Sequence, residues 1–120
     1  MIRHALCLAL AFVATPAVSQ QKTTAGSGAV LRGLEKVNGA TQDLEMTIGQ
    51  TEKFGRLNIT LRECRYPEGD RAGNAFASME ISEAGREGTI FSGWMIASAP
   101  ALNAMDHSRY DVWVLRCTTS

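Results

Sequence analysis

The sequence predicts an all-β fold, a small antiparallel barrel or sandwich of about six strands, with one short helical turn before the last strand. Three observations favour this class. Beyond the N-terminal segment, apolar side chains mostly alternate with polar ones, as in strands that bury one face. Short clusters rich in glycine, proline and polar residues separate these segments and are typical of turns. At 120 residues, the chain forms one domain at most.

Six segments carry the strand pattern: residues 30–37, 43–48, 54–66, 75–82, 89–97 and 110–117. The first ends at Asn38-Gly39, a dipeptide that favours a tight hairpin turn. In the third, which is the longest, Leu57, Ile59 and Leu61 face one side. Turns between the segments are mostly short, which favours antiparallel neighbours.

A short helical turn is expected between the last two strands. Ser98 can cap it, and Pro100 falls in its first turn, where the missing N–H costs little. The apolar stripe of this turn would consist of Ala101, Leu102, Ala104 and Met105.

The N-terminal segment predicts export. Arg3 precedes an apolar run at residues 5–14, which is the length of a signal-peptide core and too short to span a bilayer. Small residues favour cleavage after Ser19, and an uncleaved anchor is the alternative. The predicted organisation is a signal peptide at 1–19, a flexible polar leader at 20–29 and a single β-rich domain at 30–120, located in the periplasm.

The charge balance excludes two classes of partner. Removal of the signal peptide leaves eleven basic and twelve acidic residues, so no single-sign field would attract nucleic acid or an anionic membrane. No apolar run after the signal peptide is long enough to span a membrane. The mature product is therefore expected to be soluble, or held at a membrane only through a partner.

Cysteine usage predicts a structural disulfide. Cleavage removes Cys7 and leaves Cys64 and Cys117, an even count in an oxidising compartment. A bond between them closes a loop of roughly 54 residues, which the chain-entropy model values at about 4 kcal/mol. Two buried free thiols or a redox pair are the alternatives.

The densest polar stretch is residues 106–111. A functional interpretation gives His107 an acid–base role, with Asp106 or Asp111 orienting it. In the alternative interpretation Asp106 ends the helical turn, His107 lies in a turn, and Asp111 binds nearby backbone N–H groups. The second interpretation is favoured.

No cofactor or metal site is predicted. One histidine remains after cleavage, whereas a zinc site needs three or four ligands. No Asp-x-Asp calcium loop, glycine-rich phosphate loop or Gly-x-Ser-x-Gly setting occurs. The candidate interaction residues are Trp94, Trp113, Tyr110 and Arg109, although aromatic residues in so small a domain more often belong to the core.

Three segments together resemble a known family. They are FGRL with LRECRYP within residues 54–67, FSGWMIASAPAL at 91–102, and DHSRYDVWVLRC at 106–117. The chain resembles a family of alphaproteobacterial exported proteins classed as a domain of unknown function, over almost all of the mature chain. One departure is Ser108, where the family pattern has proline.

The resemblance implies a partner and no catalytic residues. Proteins of this family tend to be encoded beside an accessory subunit of respiratory NADH:ubiquinone oxidoreductase (complex I). This association implies a non-enzymatic periplasmic accessory or interaction protein, with a protein partner in the cell envelope and complex I as the candidate. The alternatives are a small-ligand-binding or hydrolytic protein centred on His107, and a cell-envelope binding module that exposes several aromatic residues on one face.

Overall fold

The chain folds into two packed antiparallel sheets. A computed structural model describes residues 22–120, so the predicted signal peptide at 1–19 lies outside the described residues. The strands are β1 (Thr23–Ala25), β2 (Gly28–Glu35), β3 (Thr41–Thr47), β4 (Thr51–Phe54), β5 (Leu57–Pro67), β6 (Phe76–Glu83), β7 (Thr89–Ile96) and β8 (Tyr110–Thr118).

The five-stranded sheet has the order β1-β5-β6-β7, and β4 pairs with β5 on the edge that β1 also uses. The three-stranded sheet has the order β3-β2-β8. All strand pairs are antiparallel. The all-β prediction is confirmed, and of its two architectures the structure is the sandwich, because the sheets remain separate and do not close into a barrel.

Alternation along the strands places the core between the two sheets. In β5 the side chains of Leu57, Ile59 and Leu61 are buried, while Asn58 and Thr60 lie on the outward face. The other strands contribute buried residues in the same way, and the core includes Leu31, Leu44, Met46, Ala77, Met79, Ile81, Phe91, Met95, Val112 and Val114.

Two β-bulges turn the cysteines into this core. The register of β5 shifts between Leu61 and Glu63, and that of β8 shifts opposite Val30 and Leu31. Each bulge adds one residue to its strand. The side chains that face inward are therefore odd-numbered on one side of the bulge and even-numbered on the other. Cys64 and Cys117 therefore face inward, and they form a disulfide with a Cα–Cα distance of 5.7 Å.

Two short strands were not predicted. Residues 20–29 were expected to form a flexible leader, but Thr23–Ala25 forms β1 and pairs with the end of β5. The predicted strand at residues 54–66 corresponds to β5, which begins at Leu57, and the unpredicted β4 ends at Phe54 and forms a hairpin with it. The predicted turn at Asn38-Gly39 is present, with Gly39 at φ 73°, a left-handed conformation that glycine adopts without strain.

The expected short helix is not formed. The segment between β7 and β8 contains turns, one of them closed by Leu102 N donating to Ala99 O (3.1 Å). Of its predicted apolar stripe, Met105 is buried, and the other three side chains are exposed. Within residues 22–120, the structure contains no helix.

Candidate functional site

Residues 97–109 connect the edge strand β7 of one sheet to the edge strand β8 of the other, and we call them the edge connection. Three side-chain contacts hold residues 98–105 of this connection. Met105 inserts its side chain into the core. Asn103 Nδ2 donates to Trp94 O (2.8 Å), and Ser98 N donates to Asn74 Oδ1 (2.9 Å). The connection is therefore fixed against β7 on one side.

A groove of about 510 Å³ separates the edge connection from β8. Its lining residues are mostly apolar: Pro100, Ala101, Ala104, Asp111, Val112 and Trp113. Among residues 22–120, β8 pairs only with β2, so no described strand pairs with its other edge. Tyr110 N points away from β2, toward His107, and alternation directs the backbone groups of Val112 to the same open side.

Exposed apolar side chains flank this groove. Leu102, on the edge connection, is 75% exposed, and Trp94 is 41% exposed on the outward face of β7. Trp113 is half-buried on the outward face of β8. Asn103, which lies between Leu102 and the groove-lining Ala104, donates to the backbone carbonyl of Trp94 and holds this part of the connection beside β7. We call Trp94, Leu102 and the groove the edge surface.

Of the four predicted interaction residues, Trp94 and Trp113 lie at this surface, on the outward faces of different sheets. Tyr110 belongs to the core instead, because it is buried and packs edge-on against Phe54, with 5.7 Å between ring centroids. Arg109 is exposed, but its guanidinium donates to Glu35 Oε1 (2.9 Å) and lies 5.3 Å from the centroid of the Tyr110 ring.

His107 has hydrogen-bond partners at both ring nitrogens. Arg109 N and Tyr110 N donate to Nδ1, at 2.9 and 3.2 Å. Nδ1 is therefore the unprotonated nitrogen, and Nε2 carries the proton that it donates to Glu83 Oε2 (2.6 Å). The side chain of His107 is only 9% exposed. This arrangement closes the turn into β8.

The hydrogen bond from His107 lowers the pKa of Glu83, and desolvation of the Glu83 carboxyl opposes this effect. The nearby positive charges of Arg86 and Arg56 also lower it. Glu83 thus remains ionised over a wider range of pH than a solvated carboxyl would.

The predicted polar cluster is not assembled as expected. Glu83, which is 24 residues from His107 in the sequence, is the carboxylate that binds the ring. Asp106 is exposed, and Asp111 instead lines the apolar groove. The interpretation of His107 as a turn residue fits this geometry, with a different acidic partner.

A second, more polar groove of about 200 Å³ lies at the other side of Tyr110. It is lined by Glu35, Ala40, Thr41, Gln42, Phe54, Gly55 and Tyr110. Glu35 is already paired with Arg109, and Tyr110 Oη accepts from Arg56 N (3.3 Å). Neither of the two grooves is lined by His107.

Residues 22–120 contain no group of three or more histidine, cysteine or acidic side chains arranged to hold a metal ion. Across the same residues, no helix is long and apolar enough to cross a bilayer.

Sequence reasoning did not find three residues that shape the site. Glu83 holds His107, Asn103 joins the edge connection to β7, and Asn74 Oδ1 receives the backbone N–H groups of Ser98 and Ala75. These contacts join segments that are separated in the sequence, so no local sequence pattern predicts them. Asn74 alone carries a signal, because asparagine in a loop often binds backbone N–H groups.

The described residues define a small disulfide-bonded β-sandwich with an apolar surface groove and a histidine that holds a turn. The chain belongs to DUF2155, described as an uncharacterized protein family conserved in bacteria, whose model matches residues 29–117.

An uncharacterized protein of Rickettsia prowazekii (strain Madrid E) is 24% identical over 87 residues, which cover 70% of this chain and 56% of that protein. The chain thus spans little more than half the length of this relative. No solved structure matches the chain.

Proposed function

We propose that this protein is an exported, non-enzymatic accessory protein that binds a larger protein of the bacterial cell envelope through its edge surface. The observation that carries the proposal is the apolar groove between the edge connection and the unpaired edge of β8. Soluble proteins usually protect edge strands with charge, cover or shortness. Here an edge strand of nine residues borders an apolar groove and an exposed leucine.

The geometry favours an extended peptide segment of the partner as the occupant. Main-chain groups on the open side of β8 can pair with an added strand, and the groove beside Trp113 can receive its apolar side chains. Trp94 and Leu102 would extend the contact beyond the groove, as aromatic and apolar residues commonly do at interfaces.

The resemblance described above supplies the candidate partner, a periplasmic-side subunit of respiratory NADH:ubiquinone oxidoreductase. The predicted signal peptide supports a location in the periplasm. The near-neutral composition supports a protein partner over nucleic acid.

The two alternative functions have less support. A hydrolytic or ligand-binding centre at His107 needs a cavity that a ligand can enter beside the ring, whereas neither groove is lined by His107. A cell-wall binding module would expose several aromatic residues on one face, whereas among residues 22–120 Trp94 is the one aromatic side chain that is exposed.

The test uses two matched substitutions. Leu102→Glu places a carboxylate on the edge surface, and Val37→Glu places one on the turn between β2 and β3; the replaced side chains are 75% and 78% exposed. C-terminally tagged proteins are purified from native membranes in mild detergent and analysed by mass spectrometry. We expect subunits of the NADH dehydrogenase in constant ratio with wild type and Val37→Glu, and a loss of at least tenfold with Leu102→Glu.

Three outcomes would contradict the proposal in different ways. Recovery of the wild-type protein alone from the soluble fraction would overturn the accessory role. Equal recovery with both variants would exclude the edge surface. A different membrane complex, recovered in constant ratio and lost with Leu102→Glu, would replace the candidate partner.

A further inference from the structure

The first described residues, 22–27, form a strap that joins the two sheets. β1 pairs with the end of β5, with Thr23 opposite Pro67 and Ala25 opposite Arg65. The chain then leaves the five-stranded sheet at Gly26 and Ser27, and enters the three-stranded sheet as β2.

The strap crosses directly beside the disulfide. Gly26 N donates to Cys64 O (2.7 Å), and Ser27 N donates to Thr118 O (2.9 Å), next to Cys117. A Cβ atom on Gly26 would lie 2.9 Å from Thr118 O and 3.1 Å from the Cβ of Cys117. Only glycine allows the backbone to pass so close to the disulfide without displacing it.

Polar contacts, not apolar burial, hold the strap. Arg65 donates to Thr23 Oγ1 (2.7 Å) and to Thr23 O (3.1 Å), and Glu68 N donates to Lys22 O (2.9 Å). No side chain of residues 22–27 is buried. Segments with few buried apolar contacts open locally at a lower free energy than the global unfolding of the domain.

We propose that the strap is a gate for the disulfide: when closed it keeps thiols from Cys64 and Cys117, and when open it admits them while the sandwich stays folded. The gate follows from the position of Gly26 between the ends of β5 and β8, since Cys64 is fully buried and Cys117 nearly so. It also sets an order of assembly, in which the two cysteines are oxidised before the strap docks.

The chemistry that the gate controls is thiol–disulfide exchange. With dithiothreitol, a thiolate attacks one cysteine sulfur and forms a mixed disulfide, which the second thiol of the reagent then breaks. The Sγ–Sγ bond of the protein is broken, both cysteines become thiols, and one dithiothreitol is oxidised to its cyclic disulfide. Access of the first thiolate is therefore the step that the strap limits.

The test measures reduction rates of the purified oxidised protein in dithiothreitol, by alkylation of released thiols, with and without low concentrations of urea. Gly26→Val forces the strap away from Thr118, and Arg65→Leu removes the two hydrogen bonds to Thr23. Arg32→Leu is the control, since it also removes two hydrogen bonds, those from Arg32 on β2 to Asp43, and neither residue binds the strap.

We expect Gly26→Val and Arg65→Leu to be reduced at least tenfold faster than wild type and Arg32→Leu, with a weak dependence on urea. A weak dependence indicates local opening, whereas global unfolding exposes much surface and gives a steep one. Rates within twofold of wild type for Arg65→Leu, or a steep urea dependence in all proteins, would overturn the gate. Arg65→Leu keeps the test valid if Gly26→Val fails to fold.

Discussion

At the scale of single residues, His107 shows how one side chain can close a turn. Its Nδ1 accepts two backbone N–H groups at the start of β8, and its Nε2 reaches the end of β6. Lys36 Nζ adds a hydrogen bond to the carbonyl of His107 (2.8 Å). These partners show that His107 holds the end of the edge connection in place. We therefore expect its replacement to lower the free energy of unfolding.

Replacement of His107 by alanine leaves two backbone N–H groups and one carboxylate without their partner. Because unpaired groups at a poorly exposed site carry a desolvation cost, we expect a loss of about 1–3 kcal/mol in the free energy of unfolding. Urea denaturation measures it. His107→Asn, whose Oδ1 can replace Nδ1, should recover part of the loss, and equal losses in both variants would contradict the role of Nδ1.

The lowered pKa of Glu83 predicts a pH dependence. A carboxyl with a lower pKa in the folded state stabilises the protein above its unfolded pKa, and this contribution is lost as the pH falls through the folded pKa. Glu83→Gln keeps an acceptor oxygen but not the charge. It should therefore be less stable than wild type near pH 7, and the difference should disappear in acid.

Urea denaturation at a series of pH values measures this difference. Glu87→Gln, in the exposed turn after β6, is the matched control and should follow wild type at every pH. A difference between wild type and Glu83→Gln that does not change with pH would show that the charge of Glu83 has no part in the contact.

The site could be predicted only in part at this scale. The sequence marked His107 as the centre of a polar stretch, and the turn interpretation suits its geometry. Its acidic partner could not be found, because Glu83 reaches it only after β6 and β8 are brought together in separate sheets. Local spacing favoured Asp106 and Asp111, but in the structure Asp106 is exposed and Asp111 lines the apolar groove.

At the scale of elements, alternation was a reliable guide where one face of a strand is buried. It gave no signal for β1, because the side chains of Thr23, Thr24 and Ala25 are at most partly buried. This strand is instead held by its pairing with the edge of β5. It was misleading for the edge connection, where apolar residues at helical spacing predicted a helix. In that segment Asn103 donates a hydrogen bond to Trp94 O and the Met105 side chain packs in the core. The other side chains of the predicted apolar stripe remain exposed.

The edge connection offers a matched pair of substitutions. Met105→Ala removes a buried side chain and leaves a cavity, so we expect a loss of about 2–5 kcal/mol in the free energy of unfolding. Leu102→Ala removes a side chain of the same class that is exposed, and should change stability by less than about 0.5 kcal/mol. Chemical denaturation of both variants checks this, and equal losses would contradict the burial of Met105.

At the scale of the whole molecule, one covalent bond ties the two sheets together. Cys64 lies on β5 of the larger sheet and Cys117 on β8 of the smaller, with a sequence separation of 53. The pairing was predictable because only two cysteines follow the predicted signal peptide. The division of strands between two sheets was not, since the register of distant strands depends on contacts that no local pattern encodes.

Removal of the disulfide should destabilise the protein strongly. The chain-entropy model gives about 4 kcal/mol for a loop of this length, a large share of the roughly 5–15 kcal/mol typical of a domain. Urea denaturation of the Cys64→Ala/Cys117→Ala variant measures the loss. Reduced wild-type protein is its control and should unfold at a similar urea concentration; a variant as stable as the oxidised protein would contradict the estimate.

The bulges beside the cysteines make the disulfide a checkpoint for strand register. Each cysteine faces inward only because one extra residue, at Arg62 in β5 and at Leu115 in β8, shifts the inward face. A strand that pairs one residue out of register would point its cysteine at solvent, away from its partner. Oxidation therefore selects chains in which both strands are paired in the correct register. Because the bond joins the two sheets, its formation reports the register of β5 and of β8 together.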